Sequence, residues 1–382
     1  MKSKLTWIFL VFAVGWLLII QPPLPPRIGQ IDFPAYWSAS YLLAHGENFG
    51  DPGRLFQAEK TLTTWPEDYP MLTWNPPWLL TMLIPYTWVS FDRATWWWLL
   101  TNITLIFISA VVLWQMSAAN ERTRRLALFA PLVAFAYSPT LATLIAGQVN
   151  VIVLAGLTGF LFFSTKRQHG RAGIALALTL VKIHLVYITI PLLLLRALRE
   201  HRWRMLAGFF GTLAVLSSVV FVLRPTFLFE YNATVSGGGL LDYMTPTAGG
   251  ILALLFGWNG FKLMGLVILP LGLWIGWRAS SVQVSMLVDA TLLASVITAP
   301  FCWSYDFVIL LVPLIPIIVS LVKEELTQAD ASMIGAILLC ADAVMFYQRV
   351  TTPGEEYFFW VPWLITGLFV WVRIRRGQMK YA

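Results

Sequence analysis

Apolar runs of about 20 residues recur from one end of the chain to the other, divided by short polar stretches, which is the pattern of repeated helical membrane crossings. The runs predict spans at 5–20, 96–116, 126–146, 149–164, 204–223, 260–277, 284–300, 305–322, 330–347 and 357–373. The run at 171–195 has basic clusters on both sides, so it predicts two short helices broken near Lys182. The total is about twelve spans, an all-α polytopic membrane protein with both termini on the cytoplasmic side. Lys2 and Lys4 precede the first run, and Gln21-Pro22-Pro23 stops it with no small-residue cleavage site, which predicts an uncleaved first span.

The loops refine this topology. After the first span (1–20), residues 21–72 form the longest polar segment, an extracytoplasmic loop that carries Glu47, Asp51, Glu59, Glu67 and Asp68. Within it, 34–44 and 53–62 predict short amphipathic helices on the membrane surface, with Trp37, Tyr41, Leu42 and Phe56 at headgroup depth. The stretch 73–90 contains Pro76, Pro77 and Pro85 and predicts a short re-entrant or interfacial segment. A full crossing there would place Glu121-Arg122-Thr123-Arg124-Arg125 outside, against the positive-inside rule. Residues 224–259 become a second outer loop with a dipping helix at 249–257. The chain thus reads as a single integral membrane domain over 1–382, with a helical bundle at 73–373 and a cytoplasmic tail at 374–382.

Composition agrees. Of the 382 residues, 58% are apolar and 12% charged, about half the charged share of an average soluble domain, which excludes an ordinary soluble enzyme. The 15% aromatic content excludes disorder. A net charge of +7 could point to nucleic acid, but it sits in short clusters between apolar runs, such as Arg122/Arg124/Arg125 and Arg196/Arg199/Arg202/Arg204, so no nucleic-acid partner is expected. Cys302 and Cys340 both lie in apolar surroundings and form neither a disulfide framework nor a metal site. Four histidines at unrelated positions make no metal site either. The sequence has no P-loop, H-E-x-x-H, C-x-x-C or G-x-S-x-G motif and no loop D-x-D, which argues against nucleotide-dependent catalysis.

Ionisable groups near hydrocarbon are costly, so each is a functional candidate. On this topology Asp32, Gln148, Asn150, Lys182, His184, Asp306, Asp342 and Arg349 fall near the outer leaflet and predict a cavity opening outward. Plainer readings stand beside these. Asp32 could be a loop carboxylate, Lys182 and His184 could snorkel to the interface, and Asp306 or Asp342 could be buried with a cation such as Arg349. Asp289 reads as a buried structural partner or as a residue close to the inner surface.

The outer loop runs Asp32-Phe33-Pro34-Ala35-Tyr36, then Leu42-Leu43 to Gly46, Asp51-Pro52 and Asn75-Pro76-Pro77. It resembles the D-F-x-x-Y … L-L-x-x-G … D-P … Y-P-P pattern of glycosyltransferase family 87, the polyprenol-phosphate-mannose-dependent mannosyltransferases. The segments Gly147-Gln148-Val149-Asn150, Ala172-Gly173 with Lys182, and Pro300 to Trp303 followed by Pro313 resemble that family's G-Q-x-N, A-G … K-P and P-x-x-W … P segments in the same order. The likeness covers about residues 31–315. Asn75 stands where Tyr is common, Ile183 where Pro follows Lys, and Tyr305-Asp306 where many members carry His.

The resemblance implies a GT-C membrane glycosyltransferase that takes a sugar, mannose first and arabinofuranose as the alternative, from a polyprenyl-phosphate sugar. The acceptor would be a lipid or glycan of the cell envelope, outside the cytoplasmic membrane, with membrane lipids as surroundings. Asp32 falls on the position of the family's catalytic base. Lys182, His184 and Arg349 would meet the donor phosphate, and Tyr36, Gln148, Asn150, Trp303 and Asp306 would line the substrates. No cofactor and no metal are expected. The rival reading is a secondary transporter or flippase, since buried Asp and Lys near broken helices also suit ion pathways. The absence of two related halves argues against it, and an inactive assembly factor is the third reading.

Overall fold

Proline and small polar residues set where the helices begin. Pro34 lies in the first turn of helix Phe33–Ala44, and Pro52 opens Pro52–Leu62, where a missing N–H costs nothing. The Asp51 side chain accepts from Arg54 N at 2.8 Å, and Thr247 and Thr327 accept from Gly250 N and Asp330 N to start Ala248–Phe256 and Gln328–Thr351. The computed structural model describes residues 28–379 apart from 64, 119, 238, 279–281 and 324. Among the described residues all regular structure is helical. The expected first span at 5–20 lies outside them.

Six helices are long and apolar enough to cross a membrane: Phe91–Ser117, Trp203–Leu223, Asn259–Arg278, Ser304–Val322, Gln328–Thr351 and Glu355–Arg376. They overlie the spans read at 96–116, 204–223, 260–277, 305–322, 330–347 and 357–373. A seventh is the pair Glu121–Ala136 and Ser138–Ala146, which bends by 65° at Tyr137 where an unbroken 126–146 was expected. Asn150–Thr165 and Val284–Thr298 occupy two further expected spans. At 1.5 Å per residue they reach about 24 and 22 Å, short of a hydrocarbon core of about 30 Å. Among the described residues, length and composition therefore support six or seven crossings.

The break read near Lys182 is present. Between His169–Leu178 and Thr189–Arg199 runs a 3₁₀ segment, Thr179–Leu185, in which Lys182 leaves helical geometry at φ −137° and ψ 70°. The proline-rich stretch 73–90 holds only helix Trp78–Leu83 and the 3₁₀ turn Ile84–Trp88, too short to span. Helix Phe227–Gly237, within the second outer loop, was not foreseen, whereas the dipping helix read at 249–257 forms as Ala248–Phe256.

The chain folds as two compact units. Among the described residues the first contains those up to Leu105 with 144–148 and 216–237. Its core joins Ala39, Leu42, Leu43, Phe49, Leu55, Ala58, Leu80, Val220 and Phe227. Helix Phe33–Ala44 belongs to this core, which corrects its reading as a surface helix: Phe33 to Ser40 are all buried, and Trp37 donates its indole N–H to Tyr86 O at 3.0 Å. Helix Pro52–Leu62 is amphipathic as read, burying Leu55, Ala58 and Glu59. The Glu59 carboxylate faces Met71 N, with both oxygens 3.3 Å from it. An Arg224–Glu230 ion pair at 2.7 Å, with Arg224 also donating to Gly46 O at 3.1 Å, ties Phe227–Gly237 to the turn after Phe33–Ala44.

The second unit contains 106–143, 149–215 and 239 onward. Close backbone approaches hold its helices together: a Cβ added at Gly173 would fall 2.0 Å from Met205 O, and one at Gly208 would fall 2.2 Å from Gly170 O. The Ala172-Gly173 motif is thus a packing contact. Segment Ser304–Leu310 and helix Leu311–Val322 are buried on almost every side, while Trp203–Leu223 and Gly265–Arg278 turn Val215, Leu266 and Val267 outward, as lipid-facing helices do. Asp289 is buried 3.8 Å from Arg373, in the structural role read for it.

Two outcomes follow. Burial raises the Glu59 carboxyl from 4.5 to about 8. The folded state therefore keeps a proton that the unfolded chain has released between those values, and stability should fall as pH rises from about 4.5 to 8 and level off above. Glu59→Gln should abolish that slope, measured as the thermal midpoint against pH in detergent. For sidedness, Glu121→Cys is the position to label, because Thr123 beside it is buried. In a Cys340→Ser background an impermeant maleimide should react there only after permeabilisation, and labelling of sealed cells would place this basic cluster outside.

Candidate functional site

Asp32 stands at the mouth of the buried helix Phe33–Ala44, half-buried where that helix begins. Backbone bonds fix it in place: Asp32 N donates to Ala146 O at 2.8 Å and Gly29 N to Ile145 O at 2.8 Å. The chain then turns at Gly147, whose φ of +70° favours glycine and where a Cβ would lie 2.7 Å from Gly29 O and 2.9 Å from Phe33 Cβ. That turn delivers Gln148. Its side-chain amide donates to Asp32 Oδ2 at 2.5 Å, and its carbonyl accepts from Tyr36 Oη at 3.1 Å. The line Tyr36 to Gln148 to Asp32 fixes which end of the amide faces the carboxylate, since only the NH₂ end can donate.

Aromatic packing backs this line. Phe33 stacks on Trp98, with centroids 5.6 Å apart and planes at 6°, and meets Tyr86 edge-on at 6.4 Å. Trp98 in turn donates its indole N–H to Gly147 O at 2.8 Å. Three of the residues chosen from sequence, Asp32, Tyr36 and Gln148, therefore meet within the first unit.

A second polar centre lies within the second unit, at the break around Lys182. The Lys182 ammonium is 2.6 Å from Asp306 Oδ1, both side chains are buried, and the cation lies 5.1 Å from the Tyr305 ring centroid. Asp306 Oδ2 accepts from Trp303 N at 3.0 Å. Asn150 Nδ2 reaches Tyr305 O at 2.7 Å and Asp306 Oδ1 at 3.3 Å, and Thr143 Oγ1 also donates to Tyr305 O at 2.7 Å. The Asn150 side-chain oxygen and His184 Nε2 are buried without a hydrogen-bond partner. An aromatic wall adjoins them: Phe301 lies 4.2 Å from the His184 ring and 5.9 Å from Trp303, and Trp303 stacks on Tyr305 at 6.0 Å and 13°. Sequence reasoning selected Lys182, His184, Asn150, Trp303 and Asp306, and the structure gathers them here.

Arg349 Nη2 donates to Ser304 Oγ at 3.1 Å, and its guanidinium lies 4.9 Å from the Phe358 ring centroid. Asp342 accepts from Ser138 N at 2.8 Å, at the bend after Tyr137. Sequence reasoning missed Glu355, which accepts from Ser304 N at 2.6 Å, and Tyr137, whose hydroxyl is buried without a partner. The short Pro353-Gly354 link marks the turn between two helices but carries no signal for the role of Glu355. Among the described residues no three His, Cys, Asp or Glu side chains gather as a metal site.

The model of glycosyltransferase family 87 matches residues 73–304, more than half of the chain. No curated protein and no solved structure matches.

The buried ion pair makes a sharp thermodynamic test. Lys182→Met should cost about 3–5 kcal/mol by leaving Asp306 buried without its cation. Asp306→Asn should likewise be destabilising. The double variant should lose clearly less than the sum of the two, read from denaturant midpoints in one detergent. Additive losses would show that the two groups are not coupled.

Proposed function

The chain belongs to glycosyltransferase family 87, and from that premise we propose that this membrane glycosyltransferase moves mannose from a polyprenyl-phosphate donor to a lipid or glycan acceptor of the cell envelope, by one inverting displacement. The observation that carries the reading is the Asp32 carboxylate, half-buried and fixed by Gln148 with Tyr36 behind it. A base must be held in one orientation yet stay reachable, and this one is both.

In the proposed step the acceptor hydroxyl gives its proton to Asp32 as its oxygen attacks the anomeric carbon. The bond from that carbon to the lipid phosphate breaks, and the phosphate leaves with the electron pair. A single displacement uses one carboxylate as base and needs no second as nucleophile. Tyr36 and Gln148 orient the base and border the sugar.

Lys182 has three N–H donors, of which Asp306 takes one, so it keeps donors for a phosphate oxygen. His184 Nε2 is available for the same purpose. Trp303 offers an aromatic face to a sugar, and Asn150 and Asp306 hold the turn on which that face sits. Charge on the departing phosphate is met by side chains in this scheme, which calls for no metal and no cofactor. In this reading the site faces the extracytoplasmic side of the cell membrane.

A transporter reading draws on one observation, the buried Lys182–Asp306 pair at a broken helix. The deciding experiment offers radiolabelled polyprenyl-phosphate-mannose and a lipid extract of the source cells to the protein in nanodiscs. Wild type should move label to a new lipid, and Asp32→Asn should lose at least about 10³-fold in rate while folding normally. Turnover retained in Asp32→Asn would overturn the base assignment. Wild type inert toward both mannose and arabinofuranose donors would favour transport.

A further inference from the structure

The turn that carries Asp306 is held from outside by two side chains that lie beyond the stretch matched by the family. Trp303 is extended, at φ −116° and ψ 161°, and Ser304 opens the helical segment Ser304–Leu310. The first N–H groups of any helix lack partners within it. Here Asp306 Oδ2 covers Trp303 N, and Glu355 Oε2 covers Ser304 N at 2.6 Å. Arg349 grips the same residue by its hydroxyl, at 3.1 Å.

Both groups come from one hairpin. Arg349 sits in the last turn of Gln328–Thr351, and Glu355 opens the 3₁₀ turn Glu355–Phe358 after Thr352-Pro353-Gly354. Phe358, buried at the end of that turn, lies under the Arg349 guanidinium, so the hairpin is braced against itself before it reaches Ser304. Glu355 and Arg349 thus bond the backbone N–H and the side chain of a single residue, two positions before Asp306.

We propose that Glu355 and Arg349 are positioning residues, which fix Ser304 and thereby set Asp306 against Lys182 and the Trp303 ring against Tyr305. Their hydrogen bonds go to Ser304. Loss of Glu355 leaves Ser304 N buried and unbonded, the turn loosens, and Asp306 loses its alignment. The inference rests on the transferase reading only where activity is measured.

Cys302 gives a readout that needs no activity. It is fully buried immediately before the turn, and with Cys340→Ser it becomes the single thiol of the chain. In detergent, maleimide labelling of Cys302 should be slow in this background and at least about 10-fold faster in Glu355→Ala, because local opening exposes the thiol. Glu355→Gln keeps an acceptor oxygen for Ser304 N and should stay within about threefold of the background. Should Glu355→Ala fail to fold, Ser304→Ala, which removes only the hydroxyl held by Arg349, should still speed labelling, and adding Arg349→Ala should raise it no further.

In the transfer assay, Glu355→Ala should lower kcat by about 10- to 100-fold with KM for the donor little changed, and Glu355→Gln should recover most of it. Equal labelling in Glu355→Ala and background, or a Glu355→Gln as impaired as the alanine variant, would overturn the proposal. A wild type inert in transfer would count against the transferase reading and leave the labelling result standing.

Discussion

A helix that breaks among apolar surroundings frees backbone N–H groups that lipid cannot solvate, and in this chain carboxylates cover them. Asp342 takes Ser138 N at the 65° bend, Asp306 takes Trp303 N, and Glu355 takes Ser304 N. A hydrogen bond to a charged group is worth about 1.5–3 kcal/mol, roughly twice a neutral one. The acids that look like active-site furniture are thus first of all the means by which short, broken helices are tolerated.

That solution has its own cost, because a carboxylate out of water needs a cation or a proton. Asp306 has Lys182, Asp289 has Arg373, and Glu59 holds a proton. Asp32 is half-buried, and its Oδ2 accepts from the Gln148 side-chain amide.

Much of this was legible in the sequence. Uniform apolar runs mark a helix with period and length together, so six long helices fall where the runs put them. Basic residues on both sides of 171–195 gave away the break at Lys182, and Gly147-Gln148-Val149-Asn150 marked the turn that reaches Asp32. The bend at Tyr137 was not legible, because its cause, the Asp342 carboxylate, lies 204 residues from Ser138. Helix Phe33–Ala44 was misplaced for a related reason. Its aromatics suit an interface by composition, and only the stacking of Phe33 on Trp98 shows that they fill a core. The role of Glu355 was equally hidden, as a link such as Thr352-Pro353-Gly354 announces a turn and says nothing of what the next side chain will hold.

The separation of partners along the chain also governs how the protein is made. Lys182 is synthesised 124 residues before Asp306, and Asp32 precedes Gln148 by 116. A ribosome therefore hands the membrane a lysine at a helix break well before its counter-ion exists, and an ammonium without one is expensive in hydrocarbon. Until Ser304–Val322 is inserted, the break around Lys182 has to rest near water or against the insertion machinery.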